Sequence, residues 1–371
     1  MTATPLHSAL LAQNRPGMQP GEYRGATTAG SFGDPQAEFS ALQTGCGVYD
    51  LGFRSRIALT GSDRLRWLNG MVTNNIRDLA AGHGVYAFLL NPQGRILGDL
   101  HAFNLGESLI VHTDVSQVEK ILATFDHYII MDDVEVANLA GKLTAVGVSG
   151  PKARAVMQTA GIAIPETQPL QIFTPQCSCE CDCLECMVVR TEDAPQEAYE
   201  VWIAPGEAAK LWQALVAAGA TPAGSKALEV QRIVAGVPLY GVDIRERDLP
   251  QETEQARALN FNKGCYIGQE IVERIRSRGS VHRKFAGFAA EGMHSIERGA
   301  KILAGEKEVG EITSAASVRT SGTERTVALG YIRREVGVPG REVTIGGARA
   351  KVVQLPLELR AAPREAEVTR R

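Results

Sequence analysis

Nine consecutive residues, Asn262-Lys263-Gly264-Cys265-Tyr266-Ile267-Gly268-Gln269-Glu270, gather an amine, a thiol, a phenol, an amide and a carboxylate, and helical spacing follows at Ile271, Val272 and Ile275. Cys265 lies one turn ahead of that helix start and beside Lys263, where positive charge and unpaired N–H groups favour thiolate. It is a candidate reactive thiol. The competing reading is a small buried hydrophobe in a turn shaped by glycines. A second cluster holds five of the seven cysteines. In an extended chain Cys177, Cys179, Cys181 and Cys183 point to one face, and Cys183 with Cys186 has a C-x-x-C spacing. Zn(II), Cu(I) or an iron-sulfur species are the soft guests such donors suit. The polar Ser178, Glu180 and Asp182 between them predict an exposed hairpin or loop, and an insertion without a ligand accounts equally for the same residues. Arg274, Arg276, Arg278, His282, Arg283 and Lys284 form a local basic run, suited to a polyanionic tail or RNA, or simply to a solvated helix face.

These residues sit in a chain of 371, long enough for two or three domains with real cores. Apolar residues make up 44%, and 39 Lys plus Arg against 42 Asp plus Glu leave a net charge of -3, which excludes global disorder and a chain-wide basic surface. Direct nucleic-acid binding is not expected. The longest uncharged stretch, Leu211 to Ser225, has 15 residues and is broken by glycines and a proline, short of the ~20 that span a membrane. The N-terminus lacks the order of a signal peptide, and an odd, clustered set of cysteines argues against a disulfide framework. The expectation is a cytoplasmic protein with reduced thiols and no membrane partner.

Periodicity then supplies the elements. Ile57 to Thr60 reads as a strand, and Ser62 caps a helix with Leu65, Leu68 and Val72 on one face. Tyr86 to Leu90 and Arg95 to Phe103 flank the turn Asn91-Pro92-Gln93-Gly94 as a hairpin. Leu109 to His112 is a strand, and Val118, Ile121, Leu122 and Phe125 mark an amphipathic helix. Leu143 to Val148, Pro151 to Thr159, Tyr199 to Ile203 and a helix with Ala208, Leu211, Trp212 and Leu215 repeat the strand, turn and helix order. Beyond Phe285 short strands and the Gly346-Gly347 turn predict a small antiparallel barrel. Residues 15–37, rich in Gly, Pro and Thr, and the charged residues 361–371 read as loops or tails.

Arg232 to Gly241 (RIVAGVPLYG), Val242 to Pro250 (VDIRERDLP) and above all Lys263 to Glu270 (KGCYIGQE) resemble the folate-binding YgfZ family, relatives of the glycine-cleavage T protein. The likeness runs from about Thr44 to Pro356 and includes the Asn91 to Leu100 hairpin; T proteins carry a cysteine-free motif where KGCYIGQE stands. The resemblance implies an α+β aminomethyltransferase-like folate-binding fold, with two ferredoxin-like α/β units over 38–142 and 143–280 and a C-terminal antiparallel β-barrel over 285–358. Residues 1–37 and 359–371 are expected as loops or tails, although a discontinuous family domain would take in the N-terminal segment. A pterin offers N–H donors to carboxylates, and a folate tail needs cations. Asp99 matches the family's pterin-side aspartate, Glu200 its second carboxylate and Arg232 its arginine, for which an i, i+3 partnership with Glu229 is the alternative. The resemblance implies tetrahydrofolate as cofactor and a YgfZ-type accessory role in maturing or repairing iron-sulfur proteins and so in tRNA modification, with iron-sulfur client or assembly proteins as partners. Cys265 and Lys263 would then be the functional pair within a motif completed by Gly264, Tyr266, Gly268, Gln269 and Glu270. The alternative is an aminomethyltransferase that makes methylenetetrahydrofolate.

Overall fold

The computed structural model describes residues 1–13, 17–175, 186–194, 196–279, 281–320 and 323–358. The chain opens with β1 (Thr2–Ala3), α1 (Pro5–Ala12), β2 (Gln19–Tyr23), β3 (Ala26–Ser31) and α2 (Pro35–Thr44). Residues 1–37 are therefore not a tail. β3 carries only small side chains yet is almost wholly buried, because Gly21 and Gly30 let the β2 and β3 backbones approach and Thr28 donates to the buried Asp50 at 2.6 Å. Thr4, which caps α1, also donates to Asp50. Small residues bury a strand without any apolar alternation, which is why composition alone reads this stretch as loop.

Next come β4 (Gly47–Asp50), β5 (Arg54–Thr60), α3 (Arg64–Met71), β6 (His83–Leu90), β7 (Ile96–Asn104), β8 (Leu109–Asp114), α4 (Val118–Tyr128) and β9 (Glu135–Asn138). The first sheet has the order β6-β7-β8-β5-β9. One face packs Ile57, Leu59, Leu100, Ala102 and Val111 against α3 and α4. Side chains alternate along strands, so the opposite face presents Arg54 and Arg56 from β5, Asp99, His101 and Phe103 from β7, and His112 and Asp114 from β8.

The second sheet uses β10 (Thr144–Ser149), β11 (Ile172–Phe173), β12 (Cys186–Arg190), β13 (Ala198–Ile203) and β14 (Thr221–Pro222), with α5 (Ala153–Thr159), α6 (Ala208–Ala217) and α7 (Ser225–Ala235) beside it. Its order is β11-β12-β13-β10-β4-β14, so β4 leaves the N-terminal part of the chain to pair with β10, Val48 opposite Val148. A division of the chain between 142 and 143 cuts across this sheet. The two sheets meet at Phe103 and Trp202, whose ring centroids are 5.3 Å apart edge to face, and at His112 and Trp202, 5.0 Å apart.

After α8 (Gln269–Arg278), strands β15 (Arg283–Glu291), β16 (Lys301–Ala304), β17 (Lys307–Thr320), β18 (Thr323–Arg333), β19 (Glu342–Ile345) and β20 (Ala348–Val353) close a barrel in the order β15-β18-β17-β16-β19-β20. Phe285, Val327, Leu329 and Tyr331 of the barrel join α7 and the second sheet in one core. Among the described residues, no helix is long and apolar enough to cross a membrane.

Candidate functional site

A cavity lies where the sheets, α7 and the N-terminal β2 to β3 turn converge. Its larger lobe, about 100 Å³, is walled by Tyr23, Tyr49, Leu51, Phe53, Leu228 and Val237 and carries Glu200 and Arg232 among its polar groups. The smaller lobe, about 20 Å³, holds Asp99, Tyr86, His101, Asp114 and Arg257. Arg24, Arg54, Asp193 and Val237 line both lobes. Three residues that the resemblance singles out thus reach one place from segments 32 to 133 positions apart.

Each carboxylate is held. Asp99 accepts from the Tyr86 hydroxyl at 2.7 Å through Oδ2 and from Gln117 Nε2 at 2.8 Å through Oδ1, while the Thr113 hydroxyl bonds its carbonyl at 2.9 Å. Withdrawal from water, reinforced by nearby Asp114, raises its carboxyl above the usual range. Glu200 Oε2 accepts from Trp202 Nε1 at 2.9 Å and lies 3.4 Å from His112 Nε2 and 3.9 Å from Arg56. Asp114 resists burial because Arg54, 2.8 Å away, and Arg24, 3.4 Å away, hold it below the ordinary range. Burial drives His101 down to about 3, so both it and His112, displaced the same way, are neutral near pH 7.

Arg232 is already committed. Its guanidinium donates to both oxygens of Glu229, to Asp243 Oδ2 at 2.6 Å, to the Val237 carbonyl at 2.7 Å and to Ser314 Oγ at 2.8 Å. The i, i+3 partnership with Glu229 is real, and Arg232 braces the cavity wall against the barrel.

Several lining residues escaped sequence reasoning. Arg257 bridges Glu192 at 2.7 Å and Asp193 at 2.9 Å and lies 4.7 Å from the centre of the Tyr86 ring. Burial raises Asp193, but Arg257 outweighs it and pulls the group down. The usable signal was period-two placement of charged and histidine residues on β5, β7 and β8, which is costly unless they line something polar. His101, Glu192 and Asp193 bring ligand atoms within 4.8 Å of one another, yet Arg257 already sits on both carboxylates and would repel a cation.

The KGCYIGQE segment packs elsewhere, on the outside of the first unit. Lys263 is buried and donates to the carbonyls of Asn69, Val72 and Asn74 at 2.5, 2.6 and 2.7 Å. The Ile267 N–H reaches the Gly70 carbonyl at 3.1 Å, and the Asn260 N–H reaches that of Thr73 at 3.1 Å. Gln269 Oε1 accepts from the Tyr266 N–H at 3.3 Å, and Gly268, at φ +82°, lets the loop touch the hairpin turn at Asn91 and Gly94. Tyr266 packs with Phe88, Leu90 and Val272, while Gly264 and Glu270 are exposed. Cys265 is exposed, which removes the buried-hydrophobe reading, but it lines neither lobe of the cavity. Lys263 is spent on carbonyls instead of on the thiol.

Cys177, Cys179, Cys181 and Cys183 lie outside the described residues. Cys186 starts β12 and is buried among Val188, Val201 and Leu211; burial pushes its thiol up, which does not fit an exposed soft-metal ligand. The basic run divides. Arg283 pairs with Asp248 and Glu252 at 2.7 and 3.0 Å, whereas Arg274 and Arg278 are exposed on α8.

Among the described residues, fold and site together define an α+β protein with two larger sheets, a three-stranded N-terminal sheet, a closed barrel and a cavity of mixed polar and apolar lining. The chain belongs to the glycine-cleavage T-protein family: the GCVT N-terminal domain matches residues 7–263 and the glycine cleavage T-protein C-terminal barrel domain residues 283–357. An aminomethyltransferase of Rubrobacter xylanophilus is 29% identical over 333 residues, covering 88% of this chain and 85% of the relative. A putative chloroplastic transferase of Arabidopsis thaliana is 26% identical over 322 residues, with 85% and 72% covered. The crystal structure of the glycine cleavage system aminomethyltransferase T from Bartonella henselae shares the fold at a TM-score of 0.85 and 22% identity, covering 96% of this chain and 97% of that one.

Proposed function

We propose that the central cavity holds a reduced folate of the tetrahydrofolate class. The observation that carries this reading is the convergence of Asp99 and Glu200, each on its own sheet, on lobes that share Arg24, Arg54, Asp193 and Val237. The residues fit a heteroaromatic acid with a polar edge: aromatic and aliphatic walls alternate with carboxylates, and Arg24 Nε is a buried lining atom without a hydrogen-bond partner. When bound, tetrahydrofolate supplies the nitrogens that carry a one-carbon unit. Asp99, fixed by Tyr86 and Gln117 and raised by burial, holds or releases a proton beside them. Glu200 accepts from the pterin edge, and Arg232 keeps the wall in place.

Two uses of that folate have support. Aminomethyl transfer is the activity named for the Rubrobacter relative, and Asp99 is the group here that serves it. A YgfZ-type role in maturing or repairing iron-sulfur proteins is favoured by one observation, an exposed thiol on the KGCYIGQE loop outside the chamber. Calorimetric titration with 5-formyltetrahydrofolate should show binding that weakens at least about tenfold in Asp99→Asn and Glu200→Gln, the cost of an unmet buried polar group. No binding by the wild type would overturn the folate assignment. Methylenetetrahydrofolate formed from an aminomethyl-loaded lipoyl carrier decides for transfer. Folate binding without that product, combined with loss of iron-sulfur enzyme activity in cells carrying Cys265→Ser, decides for the accessory role.

A further inference from the structure

The last turn of a helix leaves carbonyls without N–H partners, and a cation placed there is favoured by the helix dipole. α3 ends at Met71, in the first unit. Its terminal carbonyls and those of the following turn, Asn69, Gly70, Val72, Thr73 and Asn74, all receive donors from residues 260–267, far along the chain. Lys263 alone supplies three of them, and an ammonium has three N–H bonds to give. It is buried, among the described residues no carboxylate pairs with it, and the Tyr266 ring lies 4.9 Å from Nζ.

We propose that Lys263 is a positioning residue for Cys265: by filling the open end of α3 it holds the thiol loop rigidly on the outer surface of the first unit, so that Cys265 meets only what arrives from solvent. This rests on the reading that Cys265 is used, and the thiol's reactant is then carried by another molecule, not by the folate in the chamber. Two features fix the same presentation from the other side. Gly268 touches Asn91 and Gly94, and the Ile267 N–H is tied to Gly70, so the two residues flanking Cys265 that bear side chains, Lys263 and Tyr266, are both anchored inward. The backbone between them turns the thiol outward.

The test places a nitroxide on Cys265 in a chain whose Cys177, Cys179, Cys181 and Cys183 are serine, leaving the buried Cys46 and Cys186 in place. At pH 6.5 the label in the Lys263 protein should give a restricted spectrum, and Lys263→Met, which removes all three donors at similar volume, should give a mobile one. Lys263→Gln, which keeps two donors, should fall between and serves if the methionine variant fails to fold. Circular dichroism and the urea midpoint report overall integrity, which a merely structural role would change without loosening the label. Superimposable spectra for folded variants and parent would overturn the proposal. Loss of cellular function in Cys265→Ser tests the underlying reading separately, since label mobility does not depend on it.

Discussion

At Asp99 the environment of one side chain sets where its carboxyl titrates. Its carboxyl is raised by burial, so it takes up a proton at a higher pH than an exposed aspartate does. If folate binding or transfer needs the carboxylate, the acid limb of the pH profile lies above the usual aspartate range, and Asp99→Asn abolishes that limb while lowering the plateau. A limb of the same position in both proteins would assign it to another group. Tyr86→Phe removes one donor to the carboxylate and should shift the limb further up. Lys263 makes the opposite kind of prediction. Burial pushes it down to about 7 from an ordinary 10.5. The unfolded chain therefore binds more protons than the native one across that window, and native stability rises as pH climbs through it. Urea midpoints of wild type and Lys263→Met should diverge in the wild type's favour from pH 7 to pH 10; parallel curves would mean that the native lysine titrates as an exposed one.

At the scale of elements, the hairpin β6–β7 and the loop before α8 are joined by two glycines. A Cβ on Gly268 would lie 2.6 Å from the Asn91 carbonyl oxygen, and one on Gly94, at φ +70°, would lie 2.8 Å from Ile271 Cβ. Alanine at either position should cost more than the ~1–2 kcal/mol of a left-handed backbone alone, measured by urea unfolding. Gly264→Ala is the control, since nothing stands within 4 Å of its Cβ. How far such elements can be read from sequence depends on how they are buried. The helix announced by Val118, Ile121 and Phe125 is α4, with those three residues buried, and the alternating barrel strands fall where short apolar runs predict them. Asp99 was placed by its motif and lies in the chamber lining. The stretch before α2 misled because β3 is covered through small residues and threonine hydrogen bonds. Lys263 misled because its neighbour in sequence is Cys265, whereas its partners are carbonyls about 190 residues upstream, a proximity that no local pattern encodes.

The whole molecule is stitched by polar contacts as much as by its cores. Asp243 is fully buried and receives Arg232, the Leu239 N–H at 2.9 Å, and the hydroxyls of Thr313 and Ser314 from the barrel. Asp243→Ala leaves a buried guanidinium short of its partner and should cost about 3–5 kcal/mol. Because the Arg232 that Asp243 holds lines the cavity, folate affinity should fall with it, and unchanged affinity in the folded variant would show that barrel and chamber are independent. The clasp at α3 has a temporal consequence. During synthesis the first sheet emerges whole, but the end of its helix stays open until residue 263 has left the ribosome, after the entire second sheet. Vectorial folding from the N-terminus, the habit of multidomain chains, therefore stops here at a half-finished unit. A nascent chain halted near residue 142 should be readily cut by protease around α3, and one halted beyond α8 should resist. The motif that carries the exposed thiol is thus also the last piece of the first unit to arrive, which ties the appearance of that thiol to the completion of everything before it.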